Sequence, residues 1–587
     1  MENQKLENLL NLSLSVPEDE RMKSSQLSVG FEEESRRWEL IVKYNGDIKR
    51  FQSNLIRIEE LIAGYAIVTL PENLIEAFAD LDEVEYVEKP KRLYFATLMG
   101  KRASCVPEIA VRDPFLKGKG VLVAVIDSGI DYQNPEFRNR EGETRIRYLW
   151  DQTLVSSQNT GTPPEGFSEG VEFDKTRIDE ALKSDTPESI VPSFDSSKHG
   201  TSVAAIAAAG GNLSEGRYQG VAPESELIVV KLGSPLPDSF PRTTQLMRAL
   251  TYVVKKAVEL GKPVAVNLSF GNTYGSHDGT SLLERFLDNV SEIGRTVICV
   301  GSGNEGAAGG HVSDFFSSQQ PRRIELNVGN YQSSFSVQLW KEYVDRFSVA
   351  LISPSGVREE IDTLRTGTQT IIMEQTRILL YAGEPSPYSV NQEIYFEFLP
   401  EQSYINRGIW TFELRPLSVV TGNYDFYLPS SAALSADTRF FTPTPDKTLT
   451  IPSTASKVIT VGAYDAFYEA YADFSGRGYP MQSITGQSVY QGSIKPDIAA
   501  PGVAINTIAP GGIPVQVTGT SFATPFVTGS AALLMEWGIV RGNDPFLYGE
   551  KVKAYLRRGA RPLRGELNYP NARSGYGALC VADSLPR

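Results

Sequence analysis

Two stretches of the chain, about residues 107–311 and 451–587, alternate apolar runs with helix-like segments. The runs at 121–126, 264–270 and 296–300 are largely apolar along their whole length. Buried strands of this kind, joined by helices, predict a parallel sheet that is covered by helices on both faces. Such a sheet binds ligands at the carboxyl ends of its strands, so we expect the functional site there.

A different pattern interrupts this one between about residues 312 and 440. Eight short strands separated by turn signals are predicted there, which is typical of a jelly-roll-like β-sandwich. The α/β pattern resumes afterwards, so we expect this β-rich segment to be an insertion within one α/β domain. A smaller acidic insertion, about residues 150–197, is expected to lie on the surface.

The N-terminal part is a separate block. Residues 1–30 are polar and acidic, and we expect them to be partly disordered. The next residues predict a small α+β unit of strands at 38–44, 64–70 and 84–87 and helices at 55–62 and 72–81. A unit of about 60 residues is marginal if it has to fold alone. Residues 91–104 predict a linker.

The composition excludes some partners. Asp and Glu (71) outnumber Lys and Arg (57), giving a formal net charge of −14. The surface therefore lacks the basic bias of nucleic-acid or anionic-membrane binding, and we expect neither partner. The first residues contain no basic region followed by an apolar one, so we expect a protein that is cytoplasmic as synthesised.

The three cysteines, Cys105, Cys299 and Cys580, are far apart and show no metal-binding spacing. They predict neither a disulfide framework nor a zinc site, and Cys299 is expected to be a small buried hydrophobe. No metal ligands and no cofactor are predicted. His277 and His311 lie in Gly/Ser-rich segments without Cys or His partners, and we expect both on the surface.

Three residues could act together in nucleophilic catalysis. Asp127 ends an apolar strand, His199 precedes an apolar helix, and Ser521 stands at the mouth of another. Each has an ordinary alternative, because an Asp at a strand end is commonly a cap and a lone His is as often packed as catalytic. Together, a carboxylate would orient the imidazole, which would remove the serine proton.

Three segments match the signature motifs of subtilisin-like serine proteases, the S8 family: Asp-Ser-Gly at 127–129, His-Gly-Thr-Ser at 199–202 and Gly-Thr-Ser-Phe-Ala-Thr-Pro at 519–525. Further matches lie at 459–463, 473–475, 495–502 and 574–577. This resemblance implies a subtilisin-like α/β fold and a Ser521/His199/Asp127 triad that works through an acyl-enzyme.

The resemblance also implies the rest of the site. Asn304 would donate its side-chain amide to the oxyanion, and the Ser521 N–H would be the second donor. Two segments resemble the backbone edges that bracket an extended peptide substrate, namely Ser269, Phe270 and Gly271, and Gly301, Ser302 and Gly303. The alternative is that these are ordinary strand ends.

The N-terminal unit resembles the propeptide of these enzymes, a folding chaperone and inhibitor. We therefore predict a propeptide at 1–97, with its boundary within 93–100, and a catalytic domain at 98–587 that contains the insertion at 312–440. Ser521 would cut that boundary in cis. The alternative is an ordinary accessory domain.

The cysteine-poor sequence and the large β insertion most resemble the clostridial Csp-type germination proteases. This resemblance implies spore association, a cleaved propeptide that stays bound, and a target such as the zymogen of a spore-cortex hydrolase. We thus expect a self-processing serine endopeptidase acting on a protein or peptide. The alternative is a protease-fold scaffold or sensor that its propeptide blocks and that binds a protein partner.

Overall fold

The computed structural model describes residues 3–24, 26–32, 35–91, 94–95, 104–106, 109, 114–157, 161–213, 216–233, 241–363, 365–480 and 494–586. The chain divides into two compact units. The α/β unit comprises residues 93–271, 283–306 and 448–587, and the β-rich unit comprises residues 1–92, 272–282 and 307–447.

A mostly parallel sheet forms the centre of the α/β unit. Its strands run, from one edge to the other, Ala470–Tyr471, Ile459–Asp465, Thr296–Gly301, Val264–Leu268, Leu122–Asp127, Glu226–Lys231, Ile146–Asp151 and Val171–Asp174, and Ile498–Val503 also pairs with Ile459–Asp465. Only the pairings at the two edges of this path are antiparallel. All six residues of Leu122–Asp127 are buried, as a central parallel strand requires.

Helices cover the sheet. They are Lys175–Lys183, His199–Ala208, Thr243–Glu259, Leu282–Val290, Thr520–Met535, Glu550–Arg558 and Val581–Ser584. The helix Thr520–Met535 is buried at every residue and continues as a π-helical turn, Glu536–Val540. This segment is long and apolar enough to cross a membrane, but 83% of it is buried inside the protein, as a core helix would be.

One prediction about the cysteines is wrong. Cys105 and Cys580, 475 residues apart in sequence, are joined by a disulfide within the α/β unit. No local spacing signals this pair, because the two residues meet only through the fold. Cys299 is free and fully buried, as predicted, and burial raises the pKa of its thiol to about 12.

An antiparallel sheet opens the β-rich unit. Its strands are Phe31–Glu32, Arg37–Tyr44, Tyr65–Pro71 and Arg57–Glu60 in order, and Val84–Glu88 pairs with Arg37–Tyr44. The helix Ile75–Ala79 packs against Val84–Glu88. The predicted helix at 55–62 is wrong, because Arg57–Glu60 pairs as a strand with Tyr65–Pro71.

Two antiparallel sheets form a β-sandwich in the same unit. One has the order His311–Phe315, Asn423–Tyr427, Phe335–Glu342, Asn391–Pro400, Thr376–Ala382 and Gly367–Met373. The other has the order Arg358–Ile361, Arg346–Ile352, Gly408–Ser418, Arg322–Val328 and Arg439–Phe440. Side chains such as Phe396 and Phe398 from one sheet and Trp410 and Phe412 from the other share one core.

The first thirty residues are ordered where the structure describes them, against expectation. Helices Asn8–Ser15 and Glu18–Arg21 lie here, and Leu9, Leu12 and Leu27 pack against the sandwich. The strand Asn391–Pro400 is therefore buried on both faces: its alternate residues face the sandwich core on one side and the N-terminal residues on the other.

The expectation for His277 and His311 is also wrong. Both are buried, and their rings stack on Tyr427 with centroid distances of 3.9 and 4.5 Å. His311 additionally contacts Asp425 through Nε2 at 2.9 Å. The surrounding Gly and Ser residues gave no sign of this packing, because the partner strand Asn423–Tyr427 lies more than a hundred residues away in sequence.

Candidate active site

Asp127 and His199 lie together at the carboxyl edge of the parallel sheet. Asp127 ends the central strand, His199 begins the helix His199–Ala208, and both side chains are buried. His199 Nδ1 lies 2.7 Å from Asp127 Oδ1. A neutral imidazole that donates from Nδ1 presents an unprotonated Nε2, which is the form a general base needs. Gly200 allows this approach, because a Cβ there would lie 2.2 Å from the Gly129 carbonyl oxygen.

Ser521 is the second residue of the buried helix Thr520–Met535. Pro525 has no N–H, so the Ser521 carbonyl lacks the usual helical donor four residues later. The Ser269 hydroxyl donates to that carbonyl instead, at 2.8 Å. In return the Ser521 hydroxyl donates to the Ser269 carbonyl, also at 2.8 Å. These two bonds connect the serine to the end of the strand Val264–Leu268.

Asn304 lies beside the same helix start. Its Oδ1 accepts hydrogen bonds from the Thr520 N–H and hydroxyl, both at 3.1 Å. The amide oxygen is thus used as an acceptor, and the amide nitrogen is the group of Asn304 that can donate. Among the described residues, neither this nitrogen nor the Ser521 N–H has a hydrogen-bond partner. The two donors predicted for an oxyanion therefore belong to neighbouring, unused groups.

The predicted substrate edge at Ser269, Phe270 and Gly271 is paired with another part of the chain. Phe270–Gly271 forms an antiparallel ladder with Tyr94–Phe95, with Phe270 opposite Phe95 and Gly271 opposite Tyr94. An extended backbone thus adds a strand here, as a peptide substrate would. Tyr94–Phe95 falls inside the predicted boundary at 93–100, whose other residues lie outside those that the structure describes.

The second predicted edge, Gly301, Ser302 and Gly303, is differently placed. The Ser302 carbonyl accepts from the Thr450 N–H at 3.0 Å, and the Gly303 carbonyl accepts from the Gly476 N–H at 2.9 Å. Each of these carbonyls therefore accepts a hydrogen bond from within the protein, and the role of this segment as a substrate edge stays a prediction. Gly303 has φ +87°, and a Cβ there would lie 2.4 Å from Thr450. Both its conformation and its close contact require glycine.

Sequence reasoning missed Asp195. It lies in the insertion at 150–197 that was expected on the surface, yet it is only 5% exposed and accepts several hydrogen bonds at the start of the His199 helix. The helix Lys175–Lys183 also lies in that insertion, with Ile178 and Ala181 in the core. The available signal was an Asp a few residues before a helix, which is a common cap pattern.

In the described part of the chain, no group of three or more His, Cys, Asp or Glu side chains could hold a metal ion.

Comparison with known proteins places these features in a family context. Residues 4–91 match a family described as the Csp protease B prodomain, and residues 118–348 and 417–577 match the subtilase family. The latter match covers more than half of the chain.

Individual sequence relatives are a protease and a proteinase by name. The chain is 24% identical over 491 residues to the minor extracellular protease Vpr of Bacillus subtilis (strain 168). The matched region covers 80% of this chain and 52% of that protein. It is 21% identical over 524 residues to the PIII-type proteinase of Lactococcus lactis subsp. cremoris (strain SK11), spanning 80% of this chain and 25% of that one. The chain thus spans only a quarter to about half of these relatives. The structure of the Clostridium perfringens CspB protease aligns with a TM-score of 0.74 at 37% identity, covering 82% of this chain and 96% of that chain.

Proposed function

The chain belongs to the subtilase family, and on that premise we propose that it is a self-processing serine endopeptidase. The observation that carries the proposal is the hydrogen bond between His199 and Asp127 at the sheet edge. It comes with a serine at the start of a buried helix and two unused donors beside it. Ser521 is the nucleophile, His199 the general base and acid, Asp127 the residue that orients His199, and Asn304 an oxyanion donor.

The groups act in the following order. The Ser521 hydroxyl leaves the Ser269 carbonyl, which costs about 1 kcal/mol for one hydrogen bond, and donates to His199 Nε2. As Ser521 Oγ attacks the scissile carbonyl carbon, its proton passes to Nε2. The carbonyl oxygen becomes an oxyanion that the Asn304 amide and the Ser521 N–H stabilise. His199 then protonates the leaving amine, and water, deprotonated by the same imidazole, releases the acyl group.

The pairing of Tyr94–Phe95 with Phe270–Gly271 supports cleavage of the chain by its own site. A segment that already forms a strand on this edge is bound as a substrate is bound, and the reaction becomes intramolecular. Cleavage within 93–100 yields an N-terminal fragment of about 11 kDa.

Self-processing is tested by comparing wild type with Ser521→Ala. Wild type should run as two fragments, and mass spectrometry of the larger one should give a new N-terminus within 93–100. Ser521→Ala should run as one full-length chain. Ser530→Ala, in the same buried helix but away from the site, is the matched control and should process normally. Equal cleavage of Ser521→Ala and wild type would refute the proposal.

A second function is a scaffold or sensor whose site is blocked. The observation in its favour is the same pairing, because a strand on Phe270–Gly271 excludes other peptides from that edge. A fluorophosphonate probe, applied after the N-terminal fragment is removed, separates the two. Labelling of Ser521 supports the endopeptidase, and absence of labelling supports the scaffold.

We propose further that the target is the zymogen of a spore-cortex hydrolase and that the protein is made in the cytoplasm and associates with the spore. The Csp-type prodomain and the similarity to the CspB protease support this proposal. Incubation with such a zymogen should convert it to its mature size with wild type and not with Ser521→Ala. Fractionation of sporulating cells should recover the protein with spores. An unchanged zymogen would refute the target.

A further inference from the structure

Five donor groups lie within hydrogen-bond distance of the Asp195 carboxylate. Its Oδ1 accepts from the Ser128 hydroxyl at 2.8 Å, the Ser197 hydroxyl at 3.1 Å and the Lys198 N–H at 3.1 Å. Its Oδ2 accepts from both the N–H and the hydroxyl of Thr201, each at 2.8 Å. Such a number of bonds to one buried carboxylate defines its position closely, since each lost bond leaves a buried donor unpaired.

These donors come from two elements. Ser128 directly follows Asp127 at the end of the central strand, whereas Lys198 and Thr201 flank His199 at the start of its helix. The Asp195 carboxylate therefore connects the strand end that carries the orienting carboxylate to the helix turn that carries the general base.

The same cluster satisfies the first N–H groups of the helix. The His199 N–H donates to the Ser197 hydroxyl at 3.2 Å, and the Gly200 N–H donates to the Ser128 hydroxyl at 3.0 Å. The Thr201 N–H donates to Asp195 itself. Lys198, just before the helix, has φ +67°, a conformation that is costly for a residue with a side chain. Its N–H bond to Asp195 stabilises this turn.

We propose that Asp195 is a positioning residue for the proposed catalytic pair. It fixes the distance between Asp127 and His199 through its hydrogen bonds to the residues next to them. This inference rests on the proposed function. Asp195 acts through its neighbours and touches neither the nucleophile nor substrate. Asparagine cannot replace it, because an amide nitrogen is itself a donor and would face groups that now donate to the carboxylate.

The test compares Asp195→Asn with a matched control, Glu136→Gln. Glu136 is another fully buried carboxylate of the α/β unit, and it accepts from the N–H groups of Gly211, Asn212 and Leu213. Both variants should lower the thermal midpoint. Only Asp195→Asn should lower the rate constant for phosphonylation of Ser521 by a fluorophosphonate, by about 10- to 100-fold, because the base is misplaced by a fraction of an ångström.

A second readout does not depend on activity. The chain has three histidines, so selective ¹⁵N-histidine labelling gives three ring spectra to assign. The His199 Nδ1–H resonance should lie far downfield in wild type and Glu136→Gln, and should move upfield or exchange away in Asp195→Asn. If Asp195→Asn does not fold, Ser128→Ala removes the bond from Ser128 to Asp195 and the acceptor of the Gly200 N–H, and it leaves the other donors to Asp195 in place. It should lower the phosphonylation rate about fivefold and shift the same resonance.

The outcomes distinguish a failure of the proposed function from a failure of the positioning role of Asp195. A wild type that is not phosphonylated at Ser521 refutes the proposed function, and the NMR comparison still decides the role of Asp195. An active wild type whose rate and resonance are the same in Asp195→Asn and Ser128→Ala refutes the positioning role alone. A resonance shift together with the rate loss supports it.

Discussion

Retention of the N-terminal residues on the β-sandwich should depend on pH through Glu393. This glutamate, on the strand Asn391–Pro400, lines a cavity of about 70 Å³ together with Glu7, Glu88 and Lys91. Lys91 Nζ lies 2.6 Å from a carboxylate oxygen of each of the other two glutamates, which leaves Glu393 as an excess acid. Burial and the neighbouring carboxylates raise the pKa of Glu393 to about 8.

The direction of this pH dependence follows from the state in which Glu393 binds the proton. In water a glutamate has a pKa of 4.5, so Glu393 takes up a proton when the N-terminal residues cover it. Its stabilising contribution is fully present below pH 4.5 and is lost as the pH rises through 8. Between pH 6 and pH 8 the loss is about 2 kcal/mol at 1.36 kcal/mol per pKa unit, a roughly 50-fold weaker complex. Burial also raises the pKa of Glu397 to about 7 and raises the pKa of Glu7, and both changes act in the same direction.

The assay is dissociation of the cleaved fragment, followed by size-exclusion chromatography and by a labelled fragment in dilution, from pH 5 to pH 9. Wild type should release the fragment more readily above pH 8. Glu393→Gln, a neutral side chain of the same shape, should bind it more tightly than wild type, and this advantage should grow about 100-fold between pH 6 and pH 9. The part of the pH dependence that is due to Glu397 and Glu7 should remain in this variant.

Glu413→Gln is the control for this experiment. Glu413 is a buried carboxylate on the other sheet of the sandwich, and three arginines lower its pKa to about 2. It does not titrate between pH 5 and 9, so its variant should show the wild-type slope. An identical slope in wild type and Glu393→Gln would refute the reasoning.

Two further outcomes are expected. Asn304→Ala should lower turnover by about 10²–10³ with an unchanged thermal midpoint, as steady-state kinetics and calorimetry would report, and undiminished turnover would remove Asn304 from the oxyanion site. Cys580→Ser should be about 2–4 kcal/mol less stable than oxidised wild type, because it lacks the disulfide with Cys105. A reductant should lower the denaturant midpoint of wild type and leave that of the variant unchanged. Equal midpoints for oxidised wild type and the variant would show that Cys105 and Cys580 are not joined.

Much of the site was predictable because it is local. Asp127, His199 and Ser521 each occur in a short motif at the end of a strand or the start of a helix. Parallel strands carry such ends to one edge. The bond between His199 and Asp127 was predicted with the triad, whereas the bonds between Ser521 and Ser269 were not predictable. The Ser269 hydroxyl donates to the Ser521 carbonyl, which Pro525 leaves without its helical donor, and that bond needs the end of a strand and the start of a distant helix to be in place.

The errors share one physical cause. Arg57–Glu60 has a helix-like sequence but pairs with Tyr65–Pro71. The hydrogen bonds of this strand pairing outweigh the local helix propensity. His277 and His311 look like loop residues until Tyr427 lies against both rings.

The sequence by itself determined the parallel sheet, the β-rich insertion and the candidate catalytic residues, because periodicity and short motifs depend on neighbours along the chain. Tertiary structure alone decided the Cys105–Cys580 disulfide, the order of residues 3–24, and the burial of Asp195 and Glu393. Each of these depends on partners tens to hundreds of residues away. Burial and charge at such contacts are properties of the packed chain, and no segment carries them alone.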